Sequence, residues 1–148
     1  MNYKEINKDL FEMPRCCTLV HCISKDCAMG KGIAKIFAKE IPLMKNDIRN
    51  IIKGQNLTGS FAIYYRGSHL EYDVINLVTK ERYWQKPTYK SLKAALEDCK
   101  EICVKHNIKK LAMPKIGSGL DRLKWDKVRD VIQEIFKDTD IEIVICYL

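Results

Sequence analysis

No apolar run in the chain approaches the roughly 20 residues of a membrane-spanning helix, so no helical span is expected. The opening residues Met1-Asn2-Tyr3-Lys4-Glu5 lack the apolar core of a secretory signal. The seven cysteines are odd in number and include no Cys-x-x-Cys pair, which argues against a disulfide framework and a zinc site. A reducing, cytoplasmic or nuclear setting is the expectation. No repeat, low-complexity tract or linker divides the 148 residues, so one domain (1–148) is expected.

Three chemical signatures are also missing. No Gly-Lys-Ser/Thr follows Gly117-Ser118-Gly119, so this loop is not a P-loop, and it is not the Gly-x-Gly-x-x-Gly dinucleotide fingerprint. Ser118 is not a nucleophile elbow, because Ile116 and Leu120 stand where glycines are required.

What the chain does have is positive charge, 26 basic against 19 acidic residues for a net +7. Such a surplus suits anionic partners, although lysines that merely solvate helix faces produce the same number. Hydrophobic residues make up 47% and charged residues 30%, the balance of a globular protein with a substantial core.

Along the chain, Tyr3–Ile6, Cys17–Ile23, Phe61–Tyr65, Tyr72–Leu77, Lys110–Met113 and Ile141–Leu148 read as strands. Helical spacing places Ile33, Phe37 and Ile41 on one face, then Met44, Ile48 and Ile51. Tyr89, Leu92, Leu96, Cys99 and Cys103 stripe a long helix, and Trp125, Val128, Ile132 and Phe136 stripe the last. The order β-β-α-α-β-β-α-β-α-β predicts a layered α/β domain with a mostly parallel or mixed sheet, in which ligands bind beyond the carboxyl ends of the strands.

Two glycine-bearing loops each follow a strand and precede a helix. One is Ser24 to Ile33, with Met29, Gly30 and Gly32; the other is Pro114-Lys115-Ile116-Gly117-Ser118-Gly119-Leu120-Asp121. Their main-chain N–H groups and the helix N-termini beyond them can cradle a phosphate. A lone Gly-x-Gly loop is equally compatible with a tight turn. His21 and Cys22 point to opposite faces of their strand and cannot form a dyad; packing is the simplest role for them, and His21 at a strand end remains a candidate to line a cleft. Lys80, read as lying in a polar loop from Thr79 to Pro87, and Asp121 are candidates that periodicity alone does not separate from other charges.

Taken together, Lys8-Asp9-Leu10-Phe11, His21-Cys22-Ile23-Ser24, Met29-Gly30-Lys31-Gly32-Ile33-Ala34, Thr79-Lys80, Lys86-Pro87-Thr88-Tyr89 and Met113 to Trp125 resemble the macrodomains of the terminal ADP-ribose protein glycohydrolase type. The resemblance runs through essentially the whole chain in the same order. It implies a macrodomain fold, a mixed sheet sandwiched between helices in three layers. It further implies that Asp9 and Leu10 hold the adenine end of ADP-ribose, while Ser24 and Met29 to Ile33 line the diphosphate and distal ribose. Lys115 to Leu120, preceded by Pro114, would wrap the diphosphate, and Leu148 would border the ligand. Lys80 would be the nucleophile and Asp121 its acid/base partner. The chain lacks the Asn-Ala-x-Asn run and triple-glycine loop of the wider family, so asparagine-dependent mechanisms do not transfer.

The implied activity is removal of ADP-ribose from glutamate esters through a covalent lysine intermediate, with deacylation of O-acetyl-ADP-ribose alongside and no metal or other cofactor. A monomer acting on ADP-ribosylated protein, without a membrane partner, is expected. A non-catalytic ADP-ribose reader and a hydrolase of ADP-ribosylated nucleic-acid bases are the alternatives.

Overall fold

Thr18-Leu19-Val20-His21-Cys22-Ile23-Ser24 carries almost no charge, and a strand of that composition is stable only when covered on both faces. In the computed structural model, which describes residues 1–148, it is β2 (Thr18–Ser24), hydrogen-bonded on both sides within a six-stranded sheet. The others are β1 (Asn2–Asn7), β3 (Phe61–Tyr65), β4 (Val74–Lys80), β5 (Lys110–Met113) and β6 (Glu142–Tyr147), in the order β1-β6-β5-β2-β4-β3. Every neighbouring pair is parallel except the β3–β4 hairpin. The sheet is therefore mixed, and the carboxyl ends of five strands share one edge.

The helices α1 (Gly32–Glu40) and α2 (Met44–Gln55) cover one face, and α3 (Tyr89–His106) and α4 (Trp125–Phe136) the other. The apolar layers are of nearly equal size, with 21 and 20 buried residues. Both stripes read for α3 and α4 point inward as expected. On α2 the inward set is Met44, Ile48 and Ile52, one residue from the expected Ile51, which is only partly buried. Each such fully buried aliphatic or aromatic side chain contributes about 1.5–3 kcal/mol.

One boundary matters for function. The fourth strand is displaced from its expected span, beginning at Val74 and running on to Lys80. Composition alone hides this, because Thr79 and Lys80 look like loop residues. Pairing decides it: β2 and β4 stay in register to Ile23↔Val78, shift by a bulge, and close with Ser24↔Lys80. Lys80 is thus held at the end of a strand and does not lie in a loop.

Candidate active site

At the shared edge of the sheet, the loops after β2, β4 and β5 surround a cleft of about 880 Å³. Its first wall runs from Ser24 to Ile33. Here Cys27 and Met29 adopt left-handed backbone conformations (φ 55° and 46°), which non-glycine residues rarely hold unaided. Asp26 supplies the support. Its carboxylate accepts from Ser24 Oγ, from the Ala28 N–H at 3.2 Å and from the Tyr83 N–H at 3.0 Å. Burial alone would push the Asp26 carboxyl up, but these hydrogen bonds hold it below the usual carboxylate range.

The second wall, Pro114 to Asp121, closes on its own main chain. The Leu123 N–H donates to Gly117 O at 2.7 Å, and the Arg122 N–H to Gly119 O at 3.2 Å. Gly117 sits at φ 73°, where a side chain would also meet Leu123 Cδ1 at 3.1 Å. The two walls touch where Leu120 packs on Gly32.

On the floor, Lys80 Nζ donates to Asp121 Oδ1 at 2.8 Å. The two side chains are only 14% and 16% exposed, far less than the surface lysine–carboxylate pairs elsewhere on the molecule. Cys22 lies beside them. Burial first, and then the negative charge of Asp121, push its thiol well above the ordinary range, so it stays protonated and is a poor nucleophile. The arrangement offers an amine and a carboxylate in proton-transfer contact, facing a space walled by main chain.

Most of the expected residues meet here. Ser24, Met29, Gly30, Gly32, Ile33, Lys80, Pro114, Lys115, Ile116, Gly117, Gly119, Leu120 and Asp121 all line the cleft. Ser118 does not; its hydroxyl turns to Ile116 O at 3.4 Å. His21 also does not, and its expected place in the cleft is corrected. Its ring is fully buried, stacked on Phe37 with centroids 3.8 Å apart, and Nε2 donates to Asn76 Oδ1 at 2.6 Å. Strand alternation had put His21 and Cys22 on opposite faces, and Cys22 is the one on the cleft side.

Leu10 requires a correction too. The whole residue is only 4% exposed and belongs to the core beneath α1 and α2. Asp9 uses its carboxylate to accept from the Phe11 N–H at 3.0 Å, starting a single 3₁₀ turn (Leu10–Glu12). Asp9 and the 89%-exposed Leu148 lie past the ends of β1 and β6, on the same sheet edge as the cleft but outside its lining.

Beyond the expected site residues, the structure adds Asp26 beneath the first wall, Lys86, and the rim pair Tyr83 and Trp84, exposed to 59% and 67%. The signal for Asp26 was its Ser-x-Asp-x-Ala spacing, which suits a local carboxylate-to-main-chain turn.

A family model described as the macro domain matches residues 20–132. The chain belongs to the macrodomain family. Over 141 residues this macrodomain is 41% identical to a Bos taurus protein named ADP-ribose glycohydrolase OARD1, covering 95% of the chain and 88% of that relative. Among solved structures, the macrodomain of Mycobacterium tuberculosis DarG superposes with a TM-score of 0.88 at 24% identity, over 99% of this chain and 97% of that one. Thermosipho africanus DarTG, solved in complex with ADP-ribose, matches with a TM-score of 0.84 at 24% identity. That match covers 98% of this chain and 41% of the other. The last two likenesses establish the fold, which is the expected three-layer macrodomain. No helix is long and apolar enough to cross a membrane.

Proposed function

We propose that this macrodomain is an ADP-ribosyl hydrolase that cleaves ADP-ribose from acidic side chains through a lysine-bound intermediate. The observation that carries the reading is the secluded 2.8 Å contact between Lys80 and Asp121 at the floor of the cleft. The 41% identity to a named ADP-ribose glycohydrolase supports the substrate class.

In this reading the diphosphate lies between the walls against the N–H groups of Met29 to Ile33 and Lys115 to Leu120. The adenine end points toward Asp9, the turn that Leu10 opens, and Leu148. Asp121 takes a proton from the Lys80 ammonium as the ligand enters. The neutral amine then attacks C1 of the distal ribose, the C1–O bond to the glutamate breaks, and the carboxylate leaves with the electron pair. Water adds to the same carbon, the C1–N bond breaks with its electron pair going to nitrogen, Asp121 returns its proton to the amine, and the proton lost by the water passes to solvent. General acid–base participation of this kind is worth about 10²–10⁴-fold. Deacylation of O-acetyl-ADP-ribose in the same cleft is a companion activity.

Intact-mass measurement after incubation with ADP-ribose tests the intermediate; a single adduct that Lys80→Ala abolishes is expected. Wild-type turnover of glutamate-linked ADP-ribose by Lys80→Ala would refute the assignment, and retained activity in Asp121→Ala would remove the carboxylate from it. ADP-ribose binding with no turnover of any conjugate would leave a reader.

A second acceptor is favoured by one observation. Tyr83 and Trp84 stand exposed on the rim, beside Arg82, in a chain of net charge +7. Exposed aromatics flanked by cations suit a stacked nucleobase and its phosphates. Turnover of base-linked ADP-ribose in an oligonucleotide, lost in Trp84→Ala while glutamate-linked turnover persists, would support it.

A further inference from the structure

The run Lys86-Pro87-Thr88-Tyr89 has so far been given no function, although it crosses directly beside the segment carrying Asp121. That segment, from Leu120 to Lys124, belongs to no helix or strand and passes through Arg122 at φ 62°. Two side chains from the run grip it on either side of Asp121. Lys86 Nζ donates to Leu120 O at 2.6 Å, one residue before the carboxylate. The Lys124 N–H donates to Tyr89 Oη at 2.9 Å, where α4 begins without a side-chain cap of its own.

The gripping residues are themselves anchored. Thr88 caps α3 reciprocally with Ser91: the Ser91 N–H donates to Thr88 Oγ1 at 3.0 Å and the Thr88 N–H to Ser91 Oγ at 2.9 Å. Pro87, whose ring fixes φ, is buried. Tyr89 opens α3, and its ring lies 5.6 Å beneath Lys127 Nζ of α4. The run therefore ties the irregular segment to the two helices that cover this face of the sheet.

We propose that Lys86 and Tyr89 are positioning residues that clasp Leu120–Lys124 and thereby hold the Asp121 carboxylate against Lys80. The proposal rests on the reading of Asp121 as the proton acceptor. Its physical basis is that a displacement of about 1 Å in a reacting group costs on the order of 10²-fold in rate. Leu123 packs on the apolar layer that includes α3, and the clasp adds the hydrogen bonds that flank the carboxylate itself. Lys86 also lines the cleft, so the competing role is a direct charge contact with the ligand diphosphate.

The test uses Lys86→Met, Lys86→Arg and Tyr89→Phe in the whole chain, with glutamate-linked ADP-ribose as substrate and free ADP-ribose as the binding probe. Lys86→Met is expected to lower kcat by about 10- to 100-fold while the ADP-ribose Kd changes less than about threefold. Lys86→Arg should restore most of the rate, and Tyr89→Phe should lower it by less than Lys86→Met does. Amide exchange in the peptide spanning Gly119 to Lys124 should quicken in Lys86→Met and Tyr89→Phe at an unchanged thermal midpoint. Adding Lys86→Met to Asp121→Asn should cost no more than about twofold, because the group being positioned is already gone.

A tenfold weaker Kd at unchanged kcat would make Lys86 a phosphate ligand and overturn the clasp. Multiplicative losses with Asp121→Asn, or unchanged exchange in Lys86→Met, would overturn it as well. Wild-type turnover by Asp121→Ala would instead sink the reading of the site, and the exchange result would still report whether the clasp exists.

Discussion

The two walls of the cleft reach similar open main-chain surfaces by different means. The second wall is built from backbone: Gly117 takes the left-handed position, and hydrogen bonds from Arg122 and Leu123 close the loop on itself. The first places non-glycine residues, Cys27 and Met29, in left-handed conformations and is held by side chains: the Asp26 carboxylate, with Lys45 donating to Ala28 O at 2.9 Å and Arg49 to Cys27 O at 3.4 Å. It also lies between β2 and α1, which the His21–Phe37 stack joins from below. A wall held by glycine is vulnerable to an added methyl group. A wall held by side chains is vulnerable to lost charge and to pH.

The largest expected effect is therefore acid weakening of the support under the first wall. Burial pushes the His21 pKa down to about 4, against a partial upward pull from its hydrogen bond to Asn76. The unfolded value is near 6.5, so the unfolded chain takes up the proton first on acidification. His21 thus contributes fully above about pH 6.5, and its contribution is lost as pH falls through 6.5 toward 4, by about 3 kcal/mol in all. Urea unfolding measured at several pH values should show this slope. His21→Gln, which does not titrate but retains a donor for Asn76, should flatten it over the same window.

Next in size is Asp26→Ala, which removes the acceptor for three hydrogen bonds at once. A loss of about 2 kcal/mol in stability is expected, with faster amide exchange over residues 24–33 and little change over 114–124. Equal loosening of both walls would show that they are not independently supported.

How far the sequence discloses these features depends on the range of the interactions behind them. The strand and helix stripes were legible because alternation and a 3.6-residue period are local consequences of burial, as at Leu92, Leu96, Cys99 and Cys103. Both loops were legible from their glycines. The seating of Lys80 at a strand end was not, since it depends on the register with Ser24 across a bulge, a contact 56 positions distant. Which of His21 and Cys22 faces the cleft was equally hidden: alternation separates the two faces without saying which carries which helices. Asp26 was one of 19 acidic residues; its spacing from Ser24 and Ala28 is a local signal, but its reach to the Tyr83 N–H is made only by folding. The Lys80–Asp121 pairing came from resemblance, not from spacing.

On the second wall, Gly117→Ala forces a side chain into a left-handed position and against Leu123 and Leu92. A cost of about 1–2 kcal/mol is expected in chemical denaturation, with weaker ADP-ribose binding as the loop shifts. A neutral result would mean that this wall does not need its glycine, and the contrast between the walls would fail.

The smallest effect separates folding from ligand contact within the first wall. Gly30 has no left-handed φ, and a Cβ there would approach only Ala28 O, at 3.9 Å, an ordinary contact. Two residues on, Gly32 sits at φ 59°, and a methyl group added to it would stand 3.1 Å from Leu120 Cδ1, so this glycine is needed by the fold itself. Gly30→Ala should therefore leave stability within about 0.5 kcal/mol of wild type. If its N–H is approached by a diphosphate, titration with ADP-ribose should nonetheless show weaker binding, because the new methyl group projects from a residue lining the cleft. Unchanged affinity in a fully stable Gly30→Ala would place the ligand away from this part of the wall, and the main-chain cradle would then rest on the Lys115–Leu120 side alone.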